Sequence, residues 1–326
     1  MLVVNPNICI DHTVVMDELL PGHVQRPRTG VNTLGGKGVN VARVARSGGD
    51  VAEVVTFLPS RDEERLRRLA DAEGAALVGI TVEGDARGAT IILEDTGRVT
   101  VLNEPGAAVD ETNWRALLAC IDELLVNHVT VVCSGSLPPG SPLDAYARVV
   151  TIAHERGRRC VVDSSGQVLA HALSAGADVV SPNLAEAEAL LGRGHSEGVD
   201  PDGPDVVERA ARAVTDLRQL GAVHVIVSAG SHGAAFDDGS NVSWCDAPQV
   251  EVVNPIGAGD SLVGGLVRAL EAGEPWPRAV RIGLATASAS CEEALAGGVR
   301  VRRVEELLMS MAPSRTVWGT TAEVGR

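Results

Sequence analysis

Aromatic side chains are scarce in this sequence: four Trp, two Phe and one Tyr stand among 326 residues. A core built from it must be filled with Val, Leu, Ile and Ala, and at 45% hydrophobic residues there is material for a large one. That composition suits an α/β protein. Positive charge is also short, since 28 Lys and Arg face 43 Asp and Glu for a formal net charge of −15. Non-specific attraction to nucleic acid or to an anionic membrane is disfavoured, and an anionic ligand would need basic residues placed locally. The six cysteines (Cys9, Cys120, Cys133, Cys160, Cys245, Cys291) include no CxxC pair and sit mostly within apolar runs. There a thiol behaves as a small hydrophobe, which favours core thiols in a reducing compartment over disulfides or a metal site. No apolar run approaches the roughly 18 residues of a membrane span, and Asn5 and Pro6 come too soon for a signal peptide. A soluble cytoplasmic protein is the expectation. Linkers, charge blocks and repeats are missing as well, so one domain is expected over 1–312, with a flexible tail over 313–326.

Along the chain, buried apolar runs alternate with helical patterns. Short strands are expected at 1–4, 53–58, 76–80, 129–134, 159–164, 178–181 and 223–228, with helices between them from Gly38 onward. Buried strands separated by helices mean a parallel sheet covered on both faces. Two stretches break the alternation. Residues 11–34 are polar, alternating and dotted with Pro and Gly, and 87–104 read as a hairpin turning at Thr96 and Gly97. Both are expected to contribute to one small separate sheet. Four polar clusters, SGSLPPG (134–140), DSSG (163–166), SPNLAE (181–186) and SAGSHG (228–233), follow consecutive strands. Ligands of parallel sheets gather at such carboxyl ends.

Two glycine-rich segments concentrate the chemistry. In NPIGAGDSLVGG, Asn254 to Gly265, glycines bracket Ala258, Asp260 follows, and a helical apolar run begins. The first amides of a helix lack intrahelical acceptors and carry partial positive charge, so Gly257, Ala258 and Gly259 can present bare N–H groups to an anion beside an acid. A glycine-rich turn before a core helix would look the same. In TLGGKGVN, Thr33 to Asn40, glycines surround a lone Lys37, allowing close backbone approach and a point charge for a phosphate. It is not a Walker loop, because Gly38 stands where Ser or Thr must follow the lysine. Signatures of dinucleotide-binding and zinc-hydrolase sites (GxGxxG after the first strand, HExxH) do not occur, and the eight histidines are dispersed.

Taken together, the segments VNPN with Asp11, GGKGVNVAR (35–43), NEPG (103–106), SGSLPPG, VDSSG (162–166), PNLAE (182–186), VSAGSHGA (227–234) and GAGDS (257–261) resemble the ribokinase-type (PfkB) carbohydrate kinases in their order along nearly the whole chain. Within that family the sequence is most similar to the branch acting on hexose phosphates, such as 1-phosphofructokinase and tagatose-6-phosphate kinase. The resemblance implies a three-layer α/β/α fold with a small β-sheet lid made from about 11–34 and 87–104. It implies an ATP- and Mg²⁺-dependent kinase with Asp260 as general base and Gly257, Ala258 and Gly259 as anion hole. Asn183 and Glu186 would match the family's NxxE motif, Glu186 holding Mg²⁺ through water, and Ser228, Gly230 and Gly233 would line the nucleotide site. Asp11, Gly36, Lys37, Asn40 and Ser136 would face the sugar. Arg26 and Arg87, with Lys37, would bind the substrate's existing phosphate. Dimerisation through the lid is expected on the same ground.

Three departures stand out. Ser181 occupies a position that is usually Lys, Pro255 replaces a common Thr, and the segment from Asn5 to Asp11 is two residues longer than usual. The reading is phosphorylation of a ketohexose monophosphate to the bisphosphate. The alternatives are a same-fold kinase of an unphosphorylated sugar or nucleoside, and a non-catalytic sugar-phosphate-binding protein.

Overall fold

The computed structural model describes residues 1–193 and 203–319. Its first unit is β1 (Leu2–Val4), followed by an excursion through β2 (Cys9–Met16) and β3 (Thr29–Gly35) that leads into α1 (Lys37–Ser47). Then come β4 (Glu53–Pro59), α2 (Glu63–Ala72) and β5 (Ala76–Val82), and a second excursion through β6 (Arg87–Glu94) and β7 (Val99–Asn103). The alternation resumes with α3 (Glu111–Leu124), β8 (Thr130–Ser134), α4 (Ala145–Glu155), β9 (Arg159–Asp163), α5 (Gly166–Ser174), β10 (Val179–Val180), α6 (Leu184–Leu190), α7 (Val206–Gln219) and β11 (His224–Ser228). The chain closes with β12 (Gly233–Asp237), β13 (Asn241–Asp246), α8 (Ala258–Glu271), α9 (Trp276–Cys291), α10 (Val301–Ser310) and β14 (Arg315–Gly319).

The large sheet has the order β14-β13-β12-β11-β10-β9-β8-β1-β4-β5. From β5 to β11 neighbouring strands are parallel, and β12, β13 and β14 join antiparallel. Alternating side chains divide the core by face, as the period of two in a strand requires. Leu2, Val4, Val55, Val131, Val162 and Val225 pack with α3, α4, α5 and α7. Their neighbours Val3, Val54, Val132, Val161 and Ile226 pack with α1, α2, α8 and α9. The few aromatics are spent inside: Trp114 is fully buried and meets Phe57 edge-on, ring centroids 5.2 Å apart.

Strands β3-β2-β6-β7 form a second, separate sheet. In it β2 pairs antiparallel with β3 and parallel with β6, so the two excursions lie side by side. Because β1 sits between β4 and β8, the sheet order reverses there, and a crevice opens at the carboxyl ends of β1 and β8. Asn5, Ser134 and the loop after β9 stand at that crevice.

One local expectation is corrected. Residues 315–319 do not belong to a flexible tail: β14 pairs with β13, satisfying an otherwise open sheet edge, while Val317 and Trp318 pack on the core. Residues 320–326 lie outside the described set. The PNLAE stretch, a polar cluster at a strand end in the sequence, opens the seven-residue helix α6.

Candidate active site

The turn leading into α8 is built from Asn254 and Pro255. Asn254 Oδ1 accepts from the Ile256 amide at 3.0 Å, and its Nδ2 donates to the Ala294 carbonyl at 2.9 Å. The Ala258 amide then closes back on the Pro255 carbonyl at 3.3 Å. Gly257, with φ 83° and ψ 6°, occupies the third place of that turn in the left-handed conformation that a type II turn demands. Pro255, which has no evident reason in the sequence alone, thus begins the turn that aims the first amides of α8.

Asp260 lies in the first turn of α8 and is buried at 5% exposure. Asn40 Nδ2 of α1 donates to its Oδ2 at 2.8 Å. Burial pushes the Asp260 carboxyl up to about 7; the negative charge of Asp163 adds to this, while Lys37 and the Asn40 hydrogen bond oppose it. An acid held near neutrality is suited to exchanging a proton at physiological pH.

Lys37, the only lysine of the chain, is the first residue of α1. Its Nζ stands 3.8 Å from Asp163 Oδ2 and 3.9 Å from Glu186 Oε1. Asp163, itself bonded by Ser134 Oγ at 3.2 Å, is the main reason that the ammonium's pKa is raised, so the lysine remains charged. A polar cavity of about 560 Å³ is bordered by Lys37, Arg87, Ser136 and Glu186. It adjoins a smaller one bordered by Asp11, Gly36, Asn40 and Ile256, again with Lys37 and Arg87 in its wall. Arg87 is held by the Asn7 carbonyl at 3.0 Å, and Asn7 Nδ2 donates to Ser136 Oγ at 3.2 Å. Asp11 sits under Gly35, where an added Cβ would fall 2.1 Å from its carboxylate, so only glycine lets β3 cross there. Cys9 Sγ donates to Asp11 Oδ1 at 3.1 Å, and burial raises the Asp11 carboxyl.

A separate, mainly apolar cavity of about 290 Å³ is lined by Ser228, Gly230, Gly233, Pro248, Val250, Leu284 and, at one end, Pro255, Ala258 and Gly259. The 255–259 turn therefore has one side on this cavity and, through Ile256, the other on the polar one. Asn183 and Glu186 cap α6 reciprocally: the Asn183 amide donates to Glu186 Oε2 and the Glu186 amide to Asn183 Oδ1, both at 2.9 Å. One Glu186 oxygen is thus committed to the helix and the other faces Lys37. Among the described residues no three carboxylate, histidine or cysteine side chains converge as a metal cage. The donor set fits Mg²⁺, which keeps most of its waters and takes few protein oxygens.

Most of the sequence-predicted residues meet here, drawn from β2, α1, β6 and the loops after β8, β10 and β11. Arg26 does not: it is exposed in the 17–28 loop between β2 and β3 and borders none of these cavities. Asp163, Asn7, Asn254 and Arg43 carry no role in the sequence reading. For Asp163 a signal existed, an acid closing an apolar strand beside the crevice; for Asn254 one existed in its bond to the Ile256 amide two residues on, while Asn7 and most of the Arg43 contacts join residues far apart in the chain.

The chain covers 94% of its own length and 95% of the relative in a match, at 34% identity, to the 1-phosphofructokinase of Haloferax volcanii. It is 31% identical to the ATP-dependent 6-phosphofructokinase isozyme 2 of Escherichia coli over 86% of this chain and 89% of that one. The crystal structure of phosphofructokinase-2 from Escherichia coli in complex with potassium superposes with a TM-score of 0.84 at 27% identity, covering 95% of this chain and 98% of that one. The sequence model for the pfkB family carbohydrate kinases matches residues 2–300, and the chain belongs to that family.

Proposed function

We propose that the protein is an ATP-dependent kinase that converts a ketohexose monophosphate to the bisphosphate, in the manner of 1-phosphofructokinase. The observation that carries this reading is the position of the 255–259 turn, which fronts the apolar cavity with Ala258 and Gly259 while Asp260 behind it is bonded to Asn40 of the polar cavity. A nucleotide in the first cavity and a sugar in the second would meet across the amides of α8. Asp260 takes the proton of the acceptor hydroxyl, and the Gly257, Ala258 and Gly259 amides hold the charge of the transferred group. Phosphoryl transfer depends chiefly on such positioning and charge stabilisation. Glu186, oriented by its own helix cap, would hold Mg²⁺ through water; when bound, the ion neutralises phosphate charge. Asn183 positions Glu186, and Ser228, Gly230 and Gly233 shape the nucleotide's cavity.

On the acceptor side, Lys37 and Arg87 border one polar cavity in a chain of net charge −15, which favours an anionic acceptor over a neutral sugar or nucleoside. Asp11, Gly36, Asn40 and Ser136 would orient its hydroxyls. We further read the small sheet as a lid and a homodimer interface, on which Val31 and Leu102 are exposed and from which Arg26 would act. The six cysteines are free thiols, matching a reducing, cytoplasmic setting. Among the described residues no helix is long and apolar enough to cross a membrane.

The test is release of ADP from ATP and Mg²⁺ with fructose 1-phosphate, fructose 6-phosphate, tagatose 6-phosphate, fructose, ribose and adenosine, alongside Asp260→Asn. Turnover confined to hexose phosphates and lost in the variant is expected. Preference for fructose, ribose or adenosine would remove the phosphosugar assignment, and ligand binding without any ADP would mark a non-catalytic binder.

A further inference from the structure

Asn40 can serve Asp260 only if its amide group points one way round. Rotated about its last bond it would turn its oxygen toward the carboxylate, and two acceptors would then face each other. The group on the other side of Asn40 decides. Arg43 Nη1, one turn further along α1, donates to Asn40 Oδ1 at 2.7 Å. A guanidinium has no acceptor, so the oxygen of Asn40 must face it, and Nδ2 must face Asp260.

Arg43 is itself fully engaged. Nη1 also donates to the Ala296 carbonyl at 2.5 Å and Nη2 to the Leu34 carbonyl at 2.8 Å. Nε and Nη2 donate to Glu73 Oε2 at 3.2 and 2.7 Å, and Glu73 Oε1 accepts from the Leu34 amide at 2.8 Å. The Arg43 side chain is 10% exposed and Glu73 19%, so their geometry is held by packing as well as charge. The segment that Arg43 grips at Ala296 continues into Gly297, which packs against the Asn40 backbone and, with Ala296, behind Gly257. One guanidinium therefore touches the end of β3, the helix bearing Asn40 and the segment behind the α8 turn.

We propose that Arg43, braced by Glu73, is a positioning residue for phosphoryl transfer: it locks the Asn40 amide with Nδ2 on Asp260 and holds the 296–297 segment against the Gly257 turn. Arg43 touches neither Asp260 nor the bordering cavities, so its action runs through Asn40. The inference rests on the reading of Asp260 as general base. Other charges also face Asp260: Asp163 from the end of β9, Lys37 from the start of α1 and Asp11 from β2. Asp163 and Lys37 keep their places in an Arg43 variant, and the Arg43 charge also lowers the Asp11 carboxyl, so the Asn40 hydrogen bond is the direct contact that alters.

The experiment is a double-mutant cycle of Arg43→Gln and Asn40→Ala, with Asp260→Asn as a separate arm. Turnover is followed with ATP, Mg²⁺ and fructose 1-phosphate, or whichever hexose phosphate of the panel turns over fastest. Arg43→Gln is expected to lower kcat about ten- to a hundredfold, part of the roughly 10²- to 10⁴-fold that a positioned base contributes. KM for ATP should change little, and the acid limb of the kcat profile should move to higher pH. The double variant should be no slower than Asn40→Ala alone, since the two residues act in series. The proposal is overturned if the two losses multiply, if kcat is retained, or if the limb does not move. Should Arg43→Gln fail to fold, Arg43→Met, which keeps much of the aliphatic stem but offers Asn40 Oδ1 no donor, replaces it in the cycle with the same criteria. An active Asp260→Asn enzyme would instead sink the base assignment; an inactive one with a multiplicative cycle would remove only the role of Arg43.

Discussion

Asp260, the proposed general base, illustrates how much of an acid's character comes from its surroundings. Burial and the Asp163 charge lift its carboxyl to about 7, and Asn40 and Lys37 restrain the rise. The ionised form is the one that accepts a proton, so kcat/KM should climb with pH through about 7 and level off above it. Asn40 donates to that ionised form, hence Asn40→Ala should move the midpoint to higher pH, and a pH–rate profile checks the sign. Asp260→Asn removes the acceptor of the proton, and a fall in kcat of roughly 10²- to 10⁴-fold is expected from steady-state assays. That Asp260 and Lys37 stand near one another was legible in the sequence because each is framed by glycines whose spacing has a physical purpose. Asp163 was not assigned a role, since its meeting with Lys37 joins residues far apart in the chain. Arg26 shows the converse: a basic residue on an excursion can be named from sequence, but its loop leaves it in solvent.

At the level of elements, alternation made the parallel strands and their covering helices readable, because a buried strand and an amphipathic helix impose different periods. Helix α6 escaped for want of length: seven residues carry less than two full turns of pattern, and its cap, Asn183, reads equally well as a loop residue. If Glu186 also holds Mg²⁺ as proposed, the cap and the metal are two duties that separate under mutation. Glu186→Gln keeps an oxygen for the Asn183 amide but loses the charge, so thermal stability should change by less than about 1 kcal/mol while the Mg²⁺ concentration for half-maximal activity rises. Glu186→Ala should lose both, and paired melting curves and Mg²⁺ titrations distinguish the two variants. Strand β14 was missed for a related reason. Five residues following a helix have no period of their own to declare, and their place is set by the open edge of β13.

For the whole molecule, the shortage of aromatics places unusual weight on those present. Trp114 is completely enclosed between α3 and the sheet, against Phe57. Trp114→Ala should cost about 3–5 kcal/mol in denaturant unfolding, since the helix cannot collapse far enough to fill the space. Because α3 lies on the face opposite α1 and α8, turnover of the folded fraction should be little altered. The division of the core into two faces also explains why the site lies at one edge: both sets of helices stop at the carboxyl ends of the strands, leaving backbone amides and strand-end carboxylates open to ligands. Lys37 stands in that opening as the only lysine in 326 residues. Apart from the terminal amine, reagents selective for primary amines therefore have a single address, and because the carboxylate neighbours of Lys37 keep it an ammonium, it should resist acylation and leave the terminal amine as the point of coupling to a solid support.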